Sequence, residues 1–157
     1  MTRNDLKAAL DHVNIRAFLR AIRLGEGTLD QDGYKRLVGG GTFTDFSAHP
    51  HVLIHLPRYD VYSSAAGAYQ IVYPTWKGLL GQYGFPDFSP ECQDEAAVAL
   101  IAEKHALDLI KAGKFEEAVQ ACSAIWASLP GSQAGQRIED IDKIKQVYFD
   151  AGGVTVT

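Results

Sequence analysis

A chain of 157 residues with 46% hydrophobic content fits one domain and can bury a sizeable core. Its formal net charge of -4 at pH 7 excludes capture of nucleic acid by a basic surface, and any binding to an anionic cell surface needs specific contacts. No stretch approaches membrane-spanning length, and Met1-Thr2-Arg3-Asn4-Asp5 lacks the apolar run of a signal peptide, so synthesis in the cytosol is expected.

Residues 5–24 read as helix, broken near Asn14, which can cap a second segment. Ile15, Phe18, Leu19 and Ile22 recur at helical spacing, while Arg16, Arg20 and Arg23 share the opposite face. At about 100° per residue, one further turn brings Glu26 into line with Ile22, on the apolar side. Gly25 and Gly27 then supply the stop. An acid leaving a helix C-terminus toward the core meets two effects of one sign, since desolvation and the negative end of the helix dipole both raise its pKa. That is how a general acid is made at neutral pH, although a Glu between two glycines also suits a solvated helix end.

Helical periodicity then disappears. Residues 34–38, the glycines 39–41 and residues 42–46 predict a β-hairpin or small sheet with a glycine turn. Residues 47–62, with three histidines and two prolines, read as an irregular loop. His49, His51 and His55 invite a metal reading, but no acid or thiol completes a ligand set at convincing spacing, so no metal and no cofactor are expected.

Helix resumes over about residues 66–82, with a break at Pro74. Ser89-Pro90-Glu91 makes a good helix start, with a capping hydroxyl, a proline in the first turn and an acid beside it. The run from Ala96 to Ala102 is apolar all round, the mark of a central buried helix, which Gly113 is expected to end. Residues 115–126 predict a shorter helix. A turn at Leu129-Pro130-Gly131 leads into a last amphipathic helix with Ile138, Ile141, Ile144 and Tyr148 inward and Glu139 paired with Lys143 outside. Cys92 and Cys122 fall in helical patterns and read as buried free thiols. The fold expected is therefore α+β: a single domain over residues 1–157, mainly helical, with a small β-containing lobe at about 27–65 after the first helix. A cleft between the lobes would have Glu26 at its root.

Several stretches occur together in one order: Glu26-Gly27-Thr28, Gly33-Tyr34, Val38-Gly39-Gly40, Phe43-Thr44-Asp45-Phe46-Ser47 with His49-Pro50, Ala66-Gly67-Ala68-Tyr69-Gln70, Asp87-Phe88-Ser89-Pro90 and Ile125-Trp126-Ala127-Ser128-Leu129-Pro130-Gly131. In this order the chain resembles the bacteriophage lambda endolysin family, over nearly its whole length. The resemblance implies a lysozyme-like fold and a lytic transglycosylase, which cuts the MurNAc-β-1,4-GlcNAc bond of peptidoglycan and closes a 1,6-anhydro ring on the muramic acid. The C6 hydroxyl of the sugar then replaces water as nucleophile, so one acid can do what most glycosidases divide between two. Glu26 matches the family's catalytic Glu. Where the family pattern has Asp after the Gly-Tyr pair this chain has Lys35, so no role of that Asp carries over.

The same resemblance puts Tyr69 and Gln70 at a helix start beside the cleft, where Gln70 can bond an N-acetyl group, or both can simply pack. Trp126 can stack on a sugar or end its helix in the core, and Ser128 can bond the sugar. Asp45 is the remaining carboxylate best placed to face Glu26, unless it bonds its own turn. Tyr34 and Thr42 are expected in the cleft. The partner implied is the peptidoglycan glycan strand, with no nucleic acid and no membrane insertion. A monomeric phage endolysin would accumulate in the host cytoplasm and reach the periplasmic wall, and so lyse the host, once a holin permeabilises the inner membrane. Two alternatives stand beside it: a hydrolytic muramidase in which Asp45 or Asp32 helps water attack, and a non-catalytic glycan-binding module.

Overall fold

The computed structural model describes residues 1–130 and 139–156. Helix α1 (Arg3–Ala9) is followed by α2 (Val13–Glu26), so the break near Asn14 is present. His12 is the cap, its side chain accepting from the Asn14 N–H at 3.1 Å. Asn14 itself is buried: its amide donates to the Ile110 carbonyl at 3.1 Å, and its oxygen accepts from the Val154 N–H at 3.0 Å. It thereby ties the C-terminal tail to the helices.

The β-lobe differs in detail from the expectation. Residues 34–46 form no strand; they hold most of a 3-10 turn (Gly33–Lys35) and take part in two isolated antiparallel bridges, Arg36 with Thr42 and Leu37 with Ala66. The sheet lies in the segment read as loop, where β1 (Ile54–Leu56) pairs antiparallel with β2 (Val61–Ser63). Strands of three residues show too little alternation to be seen through the surrounding histidines and prolines. The helix expected from residue 66 begins later, as α3 (Tyr73–Tyr83). Pro74 therefore starts that helix instead of breaking it, because a missing N–H is harmless in the first turn.

Helix α4 (Pro90–Glu103) starts at the Ser89 cap, whose hydroxyl accepts from the Cys92 N–H at 3.3 Å. Residues Ala96 to Ile101 are all buried, so α4 is the central helix. It stops at Glu103, and a short α5 (Leu107–Lys111) stands between it and Gly113. Helices α6 (Phe115–Cys122) and α7 (Ile141–Asp150) complete the larger lobe. Ile144 and Tyr148 face inward as expected, while Gly131 and Ile138 lie outside the described residues. Cys92 and Cys122 are buried free thiols.

Gln93 on α4 fastens the lobes together. Completely buried, it accepts from the Ala68 N–H at 2.9 Å and donates to the Tyr34 carbonyl at 3.1 Å and the Phe88 carbonyl at 2.9 Å. An apolar residue of the same length would leave three buried backbone groups unpaired. Gln93→Leu is expected to lower stability by about 2–3 kcal/mol, read from urea unfolding with an unchanged m-value.

Candidate active site

Glu26 is the last residue of α2, and Gly27 after it caps the helix in the left-handed region at φ 71°. This is where the helical period set it, in line with Ile22. The turn is fastened by the Thr28 N–H on the Arg23 carbonyl at 2.9 Å, and by the Thr28 hydroxyl on the Ala68 carbonyl at 2.5 Å. The chain after Glu26 is thus drawn against the segment between the lobes.

Two hollows share Glu26 and Val38. One, of about 280 Å³, is lined also by Gly25, Leu56, Tyr59, Ser128 and Glu139. The other, of about 470 Å³, has Gly27, Asp30, Arg36, Leu37, the glycines at 39 and 40, and Gln70. Together they make a groove with the Glu26 carboxyl between its two halves. Burial raises the pKa of Glu26 to about 7. No described residue hydrogen-bonds or ion-pairs with it. Arg36, the guanidinium in the groove, is taken up by Asp30 at 2.7 Å and the Gly40 carbonyl at 3.0 Å. With no described cation bonded to it to hold the charged form, desolvation decides, and Glu26 can carry a proton near neutrality.

Ser128 stands opposite, 9% exposed, and its hydroxyl is the one buried side-chain polar atom without a partner among the described residues. Gly25 makes room for it, since a Cβ there would lie 2.5 Å from the Ser128 oxygen. An unpaired buried hydroxyl facing a groove is a donor held ready for something the groove receives. Gln70 sits in the left-handed region at φ 50°, a strained conformation for a residue with a Cβ. Its amide nitrogen donates to the Arg36 carbonyl at 3.2 Å and the Gly67 carbonyl at 2.9 Å.

Over residues 16–155 the chain matches the family model described as Endolysin. The endolysin of Escherichia phage P2 is 41% identical, across 91% of this chain and 95% of that protein. The endolysin of Escherichia phage lambda is 39% identical, across 88% and 90%. In three dimensions the chain is similar to the lysozyme of bacteriophage lambda complexed with a chitohexasaccharide, at a TM-score of 0.86 and 36% identity, covering 92% of this chain and 97% of that one. A second structure of the lambda lysozyme gives a TM-score of 0.82. The chain belongs to the endolysin family. Its fold is accordingly the α+β lysozyme-like one, and the family likeness makes it a peptidoglycan-degrading enzyme.

Of the endolysin residues expected in the site, Gln70 and Ser128 line the groove with Glu26. Tyr34 and Tyr69 do not. Both hydroxyls donate to one oxygen of Asp94, at 2.8 and 2.6 Å, around a different hollow. Neither Tyr69 nor Gln70 opens a helix, because α3 begins at Tyr73. Trp126 is 2% exposed and donates to the Tyr69 carbonyl at 2.9 Å, so it is core. Thr42 is exposed and lines neither hollow of the groove. Asp45 is exposed and accepts from the Ser47 N–H at 2.8 Å, which holds its carboxyl below the usual range. It serves its own turn and does not face Glu26. Asp32 is exposed beside the 3-10 turn and lines neither hollow.

The histidines are accounted for individually. His49 is buried, with Nε2 donating to the Ile71 carbonyl at 2.8 Å and Nδ1 accepting from the His51 N–H at 3.0 Å. Both nitrogens are engaged, and burial lowers its pKa, so the ring is neutral. His51 stacks on Tyr73, with centroids 3.7 Å apart, and His55 meets Asp60 at 3.0 Å.

Glu139 and Tyr59 are among the groove residues that the sequence does not single out. Glu139, expected on the outside as a partner of Lys143, is 9% exposed and precedes α7. The available signal was Asp140, whose side chain caps α7 and so ends the helical register before Glu139. Tyr59 lies in the turn between β1 and β2, invisible until the strands are placed.

The burial of Glu26 sets the sign of a pH effect. Below about pH 4.5 the group is protonated in folded and unfolded chains alike; from there to about 7 only the unfolded chain ionises, so stability falls as pH rises through that window. Glu26→Gln, which mimics the protonated form, is expected to exceed the wild type in stability by on the order of 2 kcal/mol at pH 8. Urea unfolding at both ends of the window should show that difference vanishing at pH 4.5.

Proposed function

We propose that this endolysin is a lytic transglycosylase and that Glu26 is its single catalytic acid and base. The observation that carries this reading is a carboxyl raised to about 7 by burial, with no hydrogen bond or ion pair to any described residue. Protonated, it can deliver its proton to the glycosidic oxygen as the MurNAc-GlcNAc bond breaks. As carboxylate it can then take the proton of the muramic C6 hydroxyl as that oxygen closes on C1, giving the 1,6-anhydro product. The nucleophile belongs to the substrate and acts at high effective concentration, so no protein nucleophile is required.

The complex of the lambda lysozyme with a chitohexasaccharide supports a glycan lying in the Glu26 groove. Ser128 would donate its unpaired hydroxyl to that glycan. Gln70, whose amide nitrogen is held by two backbone carbonyls, would offer its carbonyl oxygen as acceptor. No described helix is long and apolar enough to cross a membrane. The protein would depend on a holin to reach the periplasmic wall from the host cytoplasm. It would act there as a monomer.

One observation favours the hydrolytic alternative. Asp45 and Asp32 are out of the groove, but Glu139 lines the same hollow as Glu26 and could orient a water. Mass spectrometry of digested peptidoglycan separates the two: anhydro-muropeptides are expected, and reducing ends in their place would assign hydrolysis. Glu26→Gln should lose about 10³-fold or more in turnover with its fold intact, whereas a binding module would be unaffected. In wild type kcat/KM should fall as pH rises through about 7, as the acid form is lost.

Ser128→Ala offers a separate check on the groove. Removing an unpaired buried hydroxyl should leave stability unchanged or raise it by about 1 kcal/mol, while KM for glycan increases.

A further inference from the structure

The arginine face of α2 has no part in the Glu26 groove. Arg16, Arg20 and Arg23 line a second hollow, of about 390 Å³, with Tyr34, Tyr69 and Asp94. Arg23 is only 8% exposed. Its Nε and Nη2 donate to the Thr28 carbonyl at 3.1 and 2.6 Å, and the guanidinium lies 4.6 Å from the centre of the Tyr34 ring. It is fixed before any ligand arrives, and no described residue engages its Nη1. Arg16 uses one nitrogen on the Leu10 carbonyl at 2.8 Å, and Arg20 has no hydrogen bond or ion pair among the described residues.

The hollow thus gathers three guanidinium groups in a protein whose net charge is -4. Charge of that kind supplies the specific contact with an anion that the whole molecule cannot supply in bulk. The one carboxylate among its described lining residues, Asp94, narrows the choice. Both tyrosine hydroxyls converge on Asp94 Oδ1, leaving Oδ2 as an acceptor. A phosphate-rich chain would meet repulsion there, whereas a ligand with carboxylates and an N–H or ammonium group satisfies both signs. Leu10, Leu19 and Ala151 add an apolar wall for short aliphatic side chains.

We propose that this hollow binds the short acidic peptides carried by peptidoglycan strands, with peptide carboxylates on Arg16 and Arg20 and a peptide N–H or ammonium on Asp94. The assignment rests on the peptidoglycan reading of the Glu26 groove. Helix α2 sets the axial offset between the two sites: at about 1.5 Å and about 100° per residue, Arg23 and Arg16 stand roughly 5 and 15 Å from Glu26 along the axis and roughly 60° and 80° from it around the helix. A peptide of three or four residues, at up to about 3.5 Å each, spans that interval. Sugar and peptide of one strand could then be held together, the second contact being effectively intramolecular.

The test compares wild type with the Arg16→Gln, Arg20→Gln double variant, both positions being exposed, on two substrates. These are intact peptidoglycan and glycan strands stripped of peptide by an amidase. On intact peptidoglycan the variant should lose about tenfold in kcat/KM, through KM, the effect of one charge-assisted contact. On stripped strands it should match the wild type, and the wild type should itself lose a similar factor on stripping. Equal loss on both substrates, or loss on neither, overturns the proposal and leaves the Glu26 mechanism standing. A wild type that cleaves neither substrate instead refutes the peptidoglycan reading. NMR of the whole protein with a free acidic tripeptide decides the hollow independently of turnover. Shifts at Arg16 and Arg20 support it; shifts with inorganic phosphate but none with peptide overturn it.

Discussion

Glu26 ends its helix in a groove where burial removes water and no guanidinium among the described residues bonds to it in its place. That combination is hard to build next to two arginines. An opposite charge within reach lowers a carboxyl pKa by about 1–3 units, enough to cancel what burial achieves here. The chain avoids this by giving each arginine another task. Arg36 pairs with Asp30 and the Gly40 carbonyl, and Arg23 turns to the Thr28 and Asp30 carbonyls. Asp30 is central to the insulation, because its side chain holds one guanidinium and its backbone the other.

The walls of the groove depend on a few buried polar ties. Thr28 joins the turn after Glu26 to Ala68, and Gln93 joins Ala68 to Tyr34 and Phe88. Gln70, two residues beyond Ala68, is thereby held in a backbone conformation it would not choose alone, and its oxygen is left for the groove. Opposite them, Ser128 keeps an unpaired hydroxyl that lowers stability, and Gly25 gives up a Cβ to admit it. A folded chain without a ligand has no use for either concession, which is why they mark the groove as a receiving site.

Residues with long, regular signals were legible. Four apolar positions at helical spacing placed Glu26 at the end of α2, and the Ser89 cap placed the start of α4. The β-lobe was not legible in the same way. Strands of three residues carry no usable period, and residues 34–46 are held by backbone bonds to distant partners, such as the Val38 N–H on the Ala65 carbonyl at 3.1 Å. Tyr69 and Trp126 look like cleft aromatics in any one-dimensional reading. Only packing shows that the first gives its hydroxyl to Asp94 and the second its N–H to the Tyr69 backbone. Glu139 is hard to place for a different reason: its i, i+4 spacing from Lys143 suits a helical pair, but the Asp140 cap that follows it starts the helix too late to include it.

Helix α2 links these observations because its faces serve different hollows. Successive residues turn by about 100°, so Ile15, Phe18 and Ile22 reach the core while Arg16, Arg20 and Arg23 point elsewhere. The segment after the helix contributes Asp30 and Arg36 to one hollow and Tyr34 to the other, and so forms part of both walls. Arg23 fastens that segment through Thr28. The same guanidinium thus lines the arginine hollow and fixes the turn after Glu26.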